Sequence, residues 1–345
     1  MGLVPKESWA AYLAWYRRVL QLPVRANTEL TALRWDAKAS AFAATVREDG
    51  GEGLLYARRI VLATGIEGSG DWHVPAFISD ALPRERYAHT RWDIDFEALK
   101  GKRVAVLGAG ASAFDNAAVA LEHGVATVDL FFRREQLVNV NAYRWAEFVG
   151  FLRHVGDLDD AQRWRFIRQI LRMGQLPPAD TFARARQHEG FTIHPGSPWT
   201  AVRDGPGGVA ITTPKGEYEC DFVIAGTGFV TDLSLRPELA ELREHIVLWN
   251  ERYTPPPDEE HADLSRHPYL GRCFEFLPRT EATPWVRNVY NYTFGCLLSR
   301  GFGGASISGM KYSIPRLVEG ITASLFAEDS EAHYQSLCEY GVEEF

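Results

Sequence analysis

The chain has 345 residues, enough for two domains and a sizeable core, and its 46% hydrophobic and 24% charged residues are ordinary for a folded globular protein. A net charge of −8 without a basic block argues against a nucleic-acid binder. No apolar run reaches the roughly 18 residues of a membrane span.

The start, MGLVPKESW, lacks a signal peptide's basic-then-apolar pattern. Cys220, Cys273, Cys296 and Cys338 are scattered, which suggests neither a zinc site nor a disulfide framework. No metal ligands are expected, and the setting is read as reduced and cytoplasmic.

Residues Pro5 to Leu22 predict an amphipathic helix with Trp9, Tyr12, Leu13, Tyr16 and Leu20 on one face, ended by Pro23. Aromatics at this spacing predict a core-facing stripe. Three strand-like runs follow: Glu29 to Trp35, Phe42 to Glu48 and Leu54 to Ala63. The last meets Thr64-Gly65, the pattern of a buried strand ending at a close backbone approach. A linker, Ala88 to Asp95, comes next.

The run Arg103 to Leu107 reads as a buried parallel strand opening into Gly108-Ala109-Gly110-Ala111-Ser112-Ala113, a G-x-G-x-x-A. A helix should run to about His123 and stop at Gly124, before a second strand from Thr127 to Phe132. Each small residue has a mechanical reason. Gly108 permits the tight turn, Gly110 lets a pyrophosphate approach the backbone, and Ala113 lets helix and strand pack closely. The helix's free amides and dipole would hold the phosphates.

The second strand ends in Arg133-Arg134, where an NAD site wants an acidic residue and an NADP site offers arginine to the 2′-phosphate. NADPH is therefore the expected nucleotide, against the plainer reading of a solvated loop. A mostly helical insertion, Val140 to about Gly190, predicts a covering subdomain with a small core of its own.

Beyond it the earlier design returns. Trp199–Val202, Val209–Thr213 and Tyr218–Ala225 are strand-like, and the last meets Gly226-Thr227-Gly228-Phe229. LATG at Leu62–Gly65 and AGTGF at Ala225–Phe229 thus close two copies of one module. Upstream of the first copy stands only the Pro5–Leu22 helix. A strand from Val286 to Tyr292 and the glycines Gly295, Gly301, Gly303 and Gly304 lead into a helix capped by Ser306 or Ser308, running to about Phe326. That loop can hold an anion or a polar ring edge, or it can be a packing turn.

Two modules with ATG-type turns, the second carrying G-x-G-x-S-A and an Arg pair, resemble the flavin-dependent monooxygenases, from about Ala10 to Phe326. That superfamily includes flavin-containing, Baeyer–Villiger and N-hydroxylating enzymes. The resemblance implies an α/β fold of two dinucleotide-binding domains, Rossmann-like parallel sheets with β-meanders. Residues 1–97 and 230–345 would form an FAD-type domain, and 98–229 an NADPH domain with its helical insertion at 140–190.

It further implies hydride transfer from NADPH to FAD, then oxygenation of a small organic substrate by a flavin peroxide and O₂. Gly108, Gly110, Ser112 and Ala113 would hold the NADPH pyrophosphate, and Arg133 and Arg134 its 2′-phosphate. Thr64, Gly65 and the Asn291–Ser308 region would line FAD, with Thr227 and Gly228 as the matching cofactor turn of the second copy. His89-Thr90 with Trp92 resembles the family's interdomain His-aromatic linker motif. His89 and then Asn291 are the candidate catalytic residues, although a lone histidine fits a structural role as well.

The chain departs from the pattern in two respects. The linker motif is imperfect, with its aromatic three residues after His89, no F-x-G before it and Asp93 after Trp92, which argues against a standard Baeyer–Villiger enzyme. In addition, no G-x-G precedes Gly108. The first domain is therefore expected to be incomplete and the chain a truncated form. The alternative is a flavin-free NADPH-binding partner or sensor completed by another chain. A homo-oligomer fits either. An ordinary dehydrogenase is disfavoured, because Lys311 and Tyr312 are adjacent rather than helically spaced.

Overall fold

A computed structural model describes residues 4–304 and 306–345, and the chain divides into two compact units. The first comprises the chain up to Arg58 with Pro237–Leu242, the second Arg59–Arg236 with Arg243–Phe345.

The first unit contains the three-stranded antiparallel meander β1 (Glu29–Asp36), β2 (Ala41–Glu48) and β3 (Gly51–Ala57). Trp35 pairs with Phe42 across β1 and β2, and Leu33, Phe42 and Ala43 are buried. The predicted helix forms at Lys6–Val19, but none of its residues is buried, and Trp9 and Tyr16 are 45% and 43% exposed. That corrects the expected core-facing stripe. The aromatics stack on one another instead, Trp9 on Tyr12 at 5.4 Å.

The run expected as one strand from Leu54 to Ala63 is two. After β3 the chain breaks at Arg58-Arg59, and β4 (Ile60–Leu62) runs parallel to a late strand, Val289–Asn291. Among the described residues this ribbon has two strands. The helix Ile307–Glu328 is tied to it by Arg59, whose Nη2 lies 2.6 Å from Glu328, and by Tyr290, whose hydroxyl lies 3.1 Å from Ser324 Oγ. A short strand β5 (Gly70–Trp72) follows β4.

The second unit is organised on a five-stranded parallel sheet. Its strands are β6 (Tyr87–His89), β7 (Arg103–Leu107), β8 (Thr127–Phe131), β9 (Phe191–His194) and β13 (Phe222–Ala225), in the order β6-β13-β7-β8-β9. A strand buried on both faces reads as a continuous apolar run, as Val104-Ala105-Val106 does. Val104 and Val106 face the helix Ala111–Glu122, among Phe114, Ala117 and Leu121. Ala105 faces the meander β10 (Ala201–Gly205), β11 (Gly208–Thr213) and β12 (Gly216–Cys220), among Trp199, Val209 and Ile211. Helix, sheet and meander thus form three layers around two apolar seams. β12 and β13 are parted only by Asp221, whose carboxylate takes the amide and guanidinium of Arg103 at 2.8 Å each. That bond locks the start of β7 beside β13.

Two elements escape the sequence pattern. The linker Ala88–Asp95 supplies β6, the edge strand beside β13, because Tyr87 to His89 is short and buried. β9 is the four-residue FTIH after Gly190.

The insertion folds as the helices Ala142–Trp145, Val149–His154, Asp160–Met173 and Ala179–Arg186. It does not have a core of its own, as its faces suggested. Trp164, Ile167 and Ile170 pack instead with Trp249, Leu264, Leu297 and Phe302, while Ala185 joins the core beneath Ala111–Glu122. The late run Val286–Tyr292 is strand only as β15 (Val289–Asn291), after a 3-10 turn. The remaining strand, β14 (Phe229–Thr231), pairs antiparallel with β5.

Candidate functional site

At the C-terminal end of the parallel sheet β7 turns to β8 on one side and abuts β13 on the other, the switch point at which open α/β sheets bind ligands. Gly108 stands there with φ +122°, and its amide donates to Phe131 O at 2.8 Å. A Cβ on Gly108 would lie 2.1 Å from Gly226 O. A Cβ on Gly226 would lie 2.7 Å from that of Ala113. The turn, the neighbouring AGTG and the helix are therefore as close as backbones allow, for which Gly108, Gly226 and small Ala113 are needed. Gly226 was missed in the sequence, although its place in AGTG marks it.

Gly110 differs. It caps the helix with an ordinary φ of −80°, and a Cβ there would meet nothing within 4 Å. A backbone left open beside the unpaired amides of a helix start is a cradle for phosphate. Ser112 is exposed on the same first turn.

The two arginines after β8 are unlike. Arg134 donates from Nη1 to Met173 O at 2.8 Å and from Nη2 to Arg172 O at 2.7 Å, which caps the helix Asp160–Met173. A cation on terminal carbonyls is favoured by the helix dipole. Arg133 is exposed and forms no ion pair among the described residues.

His89 lies in β6 at 1% exposure, packed between Trp72 and Trp92 at 5.4 and 6.1 Å. Its Nδ1 accepts from the amide of Arg91 at 3.1 Å, so Nε2 carries the proton and donates to Gly228 O at 2.9 Å. Burial holds the imidazole below its usual pKa, in the neutral form. Both ring nitrogens are thus committed to backbone. His89 holds the AGTG turn to the linker strand, and Thr90 adds an amide bond to Ala225 O at 3.1 Å. The Thr227 hydroxyl is likewise spent on His73 O, and the amide of His73 donates to Gly228 O at 3.0 Å. Replacing His89 with phenylalanine keeps the stacking but orphans the Arg91 amide and removes one of the two donors to Gly228 O. It should cost about 1–3 kcal/mol in chemical denaturation.

At the end of β4, Thr64 is exposed and Gly65 takes φ +69°, its carbonyl accepting from Phe294 at 3.1 Å. Asn291, at 1% exposure, accepts on Oδ1 from Thr293 N at 3.2 Å and Thr293 Oγ1 at 2.6 Å. Its Nδ2 is buried without a partner among the described residues. Gly295 makes room for it, since a Cβ there would lie 3.0 Å from Nδ2. An orphaned donor of this kind asks for an acceptor from outside the chain.

The glycines that follow are packing residues. Cβ atoms on Gly301 and Gly304 would lie 2.5 Å from Val155 and 2.4 Å from Thr293 O. Ser306, not Ser308, caps the next helix, accepting from Gly309 N at 3.3 Å, and position 305 lies outside the described residues. Of the residues expected to line FAD, Asn291 has the buried donor without a partner among the described residues. The glycine turn that opens onto an α-helix start without a steric neighbour is Gly108–Ala113, at Gly110. The described residues contain no cluster suited to a metal ion and no helix long and apolar enough to cross a membrane.

The sequence profile of the L-lysine 6-monooxygenase/L-ornithine 5-monooxygenase family matches residues 2–149. The chain is 42% identical over 343 residues to the FAD-dependent urate hydroxylase of Xanthomonas campestris pv. campestris, covering 99% of this chain and 72% of that protein. Among solved structures it resembles the ornithine N-hydroxylase of Kutzneria sp. 744, solved with reduced FAD, NADP⁺ and L-ornithine. The TM-score is 0.69 at 16% identity, over 92% of this chain and 77% of that one. It also resembles the L-lysine 6-monooxygenase of Pseudomonas syringae, with TM-score 0.68 at 18% identity over 93% and 76% of the two chains. At these identities the structures speak to the fold, the two-dinucleotide-binding α/β architecture.

Proposed function

Because the chain belongs to the flavin-dependent monooxygenase superfamily, we propose that it is an NADPH- and FAD-dependent hydroxylase of a planar, nitrogen-rich heterocycle, with urate the first substrate to try. The observation that carries the nucleotide half is the open approach at Gly110 beside the tight Gly108–Gly226 contact, at the sheet's switch point. The substrate half rests on 42% identity to a urate hydroxylase over 99% of this chain and 72% of that protein, against 16% and 18% to the amine hydroxylases.

In this reading Gly110, Ala111 and Ser112 hold the pyrophosphate and Arg133 faces the 2′-phosphate. His89 fixes the AGTG turn against which the nucleotide rests, and acts as a positioning residue rather than as an acid or base. Asn291, with its unpartnered Nδ2, and Thr64-Gly65 would hold FAD. Bound FAD supplies the two-electron redox chemistry and the reaction with O₂. Overall, substrate, O₂, NADPH and a proton give hydroxylated substrate, NADP⁺ and water.

A second reading, a flavin-free NADPH-binding module completed by another chain, is favoured by the wholly exposed helix Lys6–Val19 and the two-stranded β4–β15 ribbon. Incubating the chain with FAD, NADPH and urate in air separates the two. The hydroxylase reading expects NADPH oxidation that needs FAD, rises with urate and consumes it. Oxidation indifferent to urate would remove the substrate assignment. NADPH binding without any FAD-dependent oxidation would favour the second reading.

A further inference from the structure

A groove of about 790 Å³ lies between Asn139–Trp145 and Gln175–Ala179, in a size range that suits a small ligand. We infer that this groove takes the 2′-phosphoadenosine end of NADPH, and that Arg144 from the helical insertion, together with Arg133, selects the 2′-phosphate in place of Arg134. The inference rests on the NADPH reading above and goes beyond the residues that the G-x-G-x-x-A pattern names.

Position is the first argument. One wall begins at Asn139, five residues beyond Arg134 in the segment that follows β8, and the adenosine ribose of a Rossmann fold belongs at the end of that strand. The other wall starts just after Gly174, against which the Arg134 guanidinium lies, a Cβ there meeting Nη2 at 3.0 Å. It ends in the helix Ala179–Arg186, which runs against the phosphate-binding helix. Thr181 Oγ1 donates to Asp115 Oδ1 at 2.8 Å, Phe182 meets Phe114 at 5.6 Å, and Arg184 pairs with Glu122 at 2.7 Å. The groove therefore flanks the first turn of Ala111–Glu122 on the β8 side.

Chemistry is the second argument. Arg134 has spent its guanidinium on the Asp160–Met173 helix end and offers little to a ligand. Arg144 is exposed, lines the groove, and forms no side-chain ion pair or hydrogen bond among the described residues. Its backbone is fixed, because its amide donates to Asn141 Oδ1 at 2.9 Å, and the preceding Tyr143 stacks on Phe302 at 5.3 Å. A held backbone with an uncommitted guanidinium suits fork-like phosphate recognition. Trp145 and Pro177 offer flat faces for a base, and the Asn139 and Gln175 amides offer donors and acceptors for its edge.

Isothermal titration of the full chain with adenosine 2′,5′-bisphosphate and with 5′-AMP tests the assignment without flavin or turnover. The wild type should prefer the bisphosphate. Arg144→Gln should weaken it by at least about tenfold, the effect of one lost charge-assisted phosphate contact, and leave 5′-AMP unchanged. Arg134→Gln should keep the preference and lower the melting temperature. If Arg144→Gln binds the bisphosphate like the wild type while Arg134→Gln loses the preference, the groove assignment falls and the NADPH reading stands. A wild type with no preference for the bisphosphate overturns the NADPH reading and this inference with it. A groove that instead binds the hydroxylation substrate would show urate competing with the bisphosphate, which also refutes the assignment.

Discussion

Replacing Gly108 with alanine should destabilise the chain by about 3 kcal/mol and abolish nucleotide binding, whereas Gly110→Ala should leave stability within about 0.5 kcal/mol and still weaken NADPH severely. The first position combines a φ of +122° with a carbonyl 2.1 Å from where the new carbon must go. Either the β7 turn or the AGTG turn has to move, and the two hold each other through Gly226 N and Leu107 O at 2.8 Å. The second position has an ordinary φ and empty space, so the fold does not notice a methyl group. A phosphate approaching the helix start would notice it, because the Cβ occupies the path to the amides. Urea denaturation and NADPH fluorescence titration of both variants give the four numbers needed. Undiminished NADPH affinity in Gly110→Ala would mean that the phosphates bind elsewhere.

The contrast between those glycines also marks how far the sequence could be read. The strand–turn–helix–strand from Arg103 to Phe131 was legible because local signals agree: an apolar run, small residues at fixed offsets, and Gly124 with φ +83° just past the helix end. The twin meanders and their ATG turns were legible for the same reason. What failed was anything decided by long-range partners. The Lys6–Val19 stripe has the period of a core helix, yet period says nothing about whether a partner surface exists. The insertion's apolar faces were read as a separate core, but Trp164 and Ile167 found Trp249 and Leu297, more than 80 residues away. Arg133 and Arg134 are chemically identical in a sequence. Only the fold brings the carbonyls of Arg172 and Met173 to one of them. Likewise His89 carried a polar signal that the structure resolves into two backbone bonds, whereas Asn291 keeps a buried Nδ2 with no partner among the described residues.

A second large effect is expected from acid. His267 is 3% exposed, its Nδ1 donates to Asp263 O at 3.0 Å, and its Nε2 has no partner among the described residues. Burial, the main cause, holds its pKa at about 4, against 6.5 for a free imidazole. Above about pH 6.5 the ring is neutral in both folded and unfolded chains, so it adds no pH dependence. As pH falls from there the unfolded chain takes up a proton that the folded chain refuses until about pH 4. The fold should therefore lose about 3 kcal/mol over that window from this residue alone, at about 1.4 kcal/mol per pKa unit. The carboxylates held low by arginines, Asp157 and Asp221 among them, are lost at lower pH, so the two effects separate. His267→Gln keeps an amide donor for Asp263 O and removes the titration. Its unfolding free energy, measured against pH beside the wild type, should differ from the wild type's by a constant above about pH 6.5 and gain about 3 kcal/mol on it as pH falls to about 4. Parallel curves would show that His267 does not titrate on unfolding, and would assign the acid sensitivity to the carboxylates.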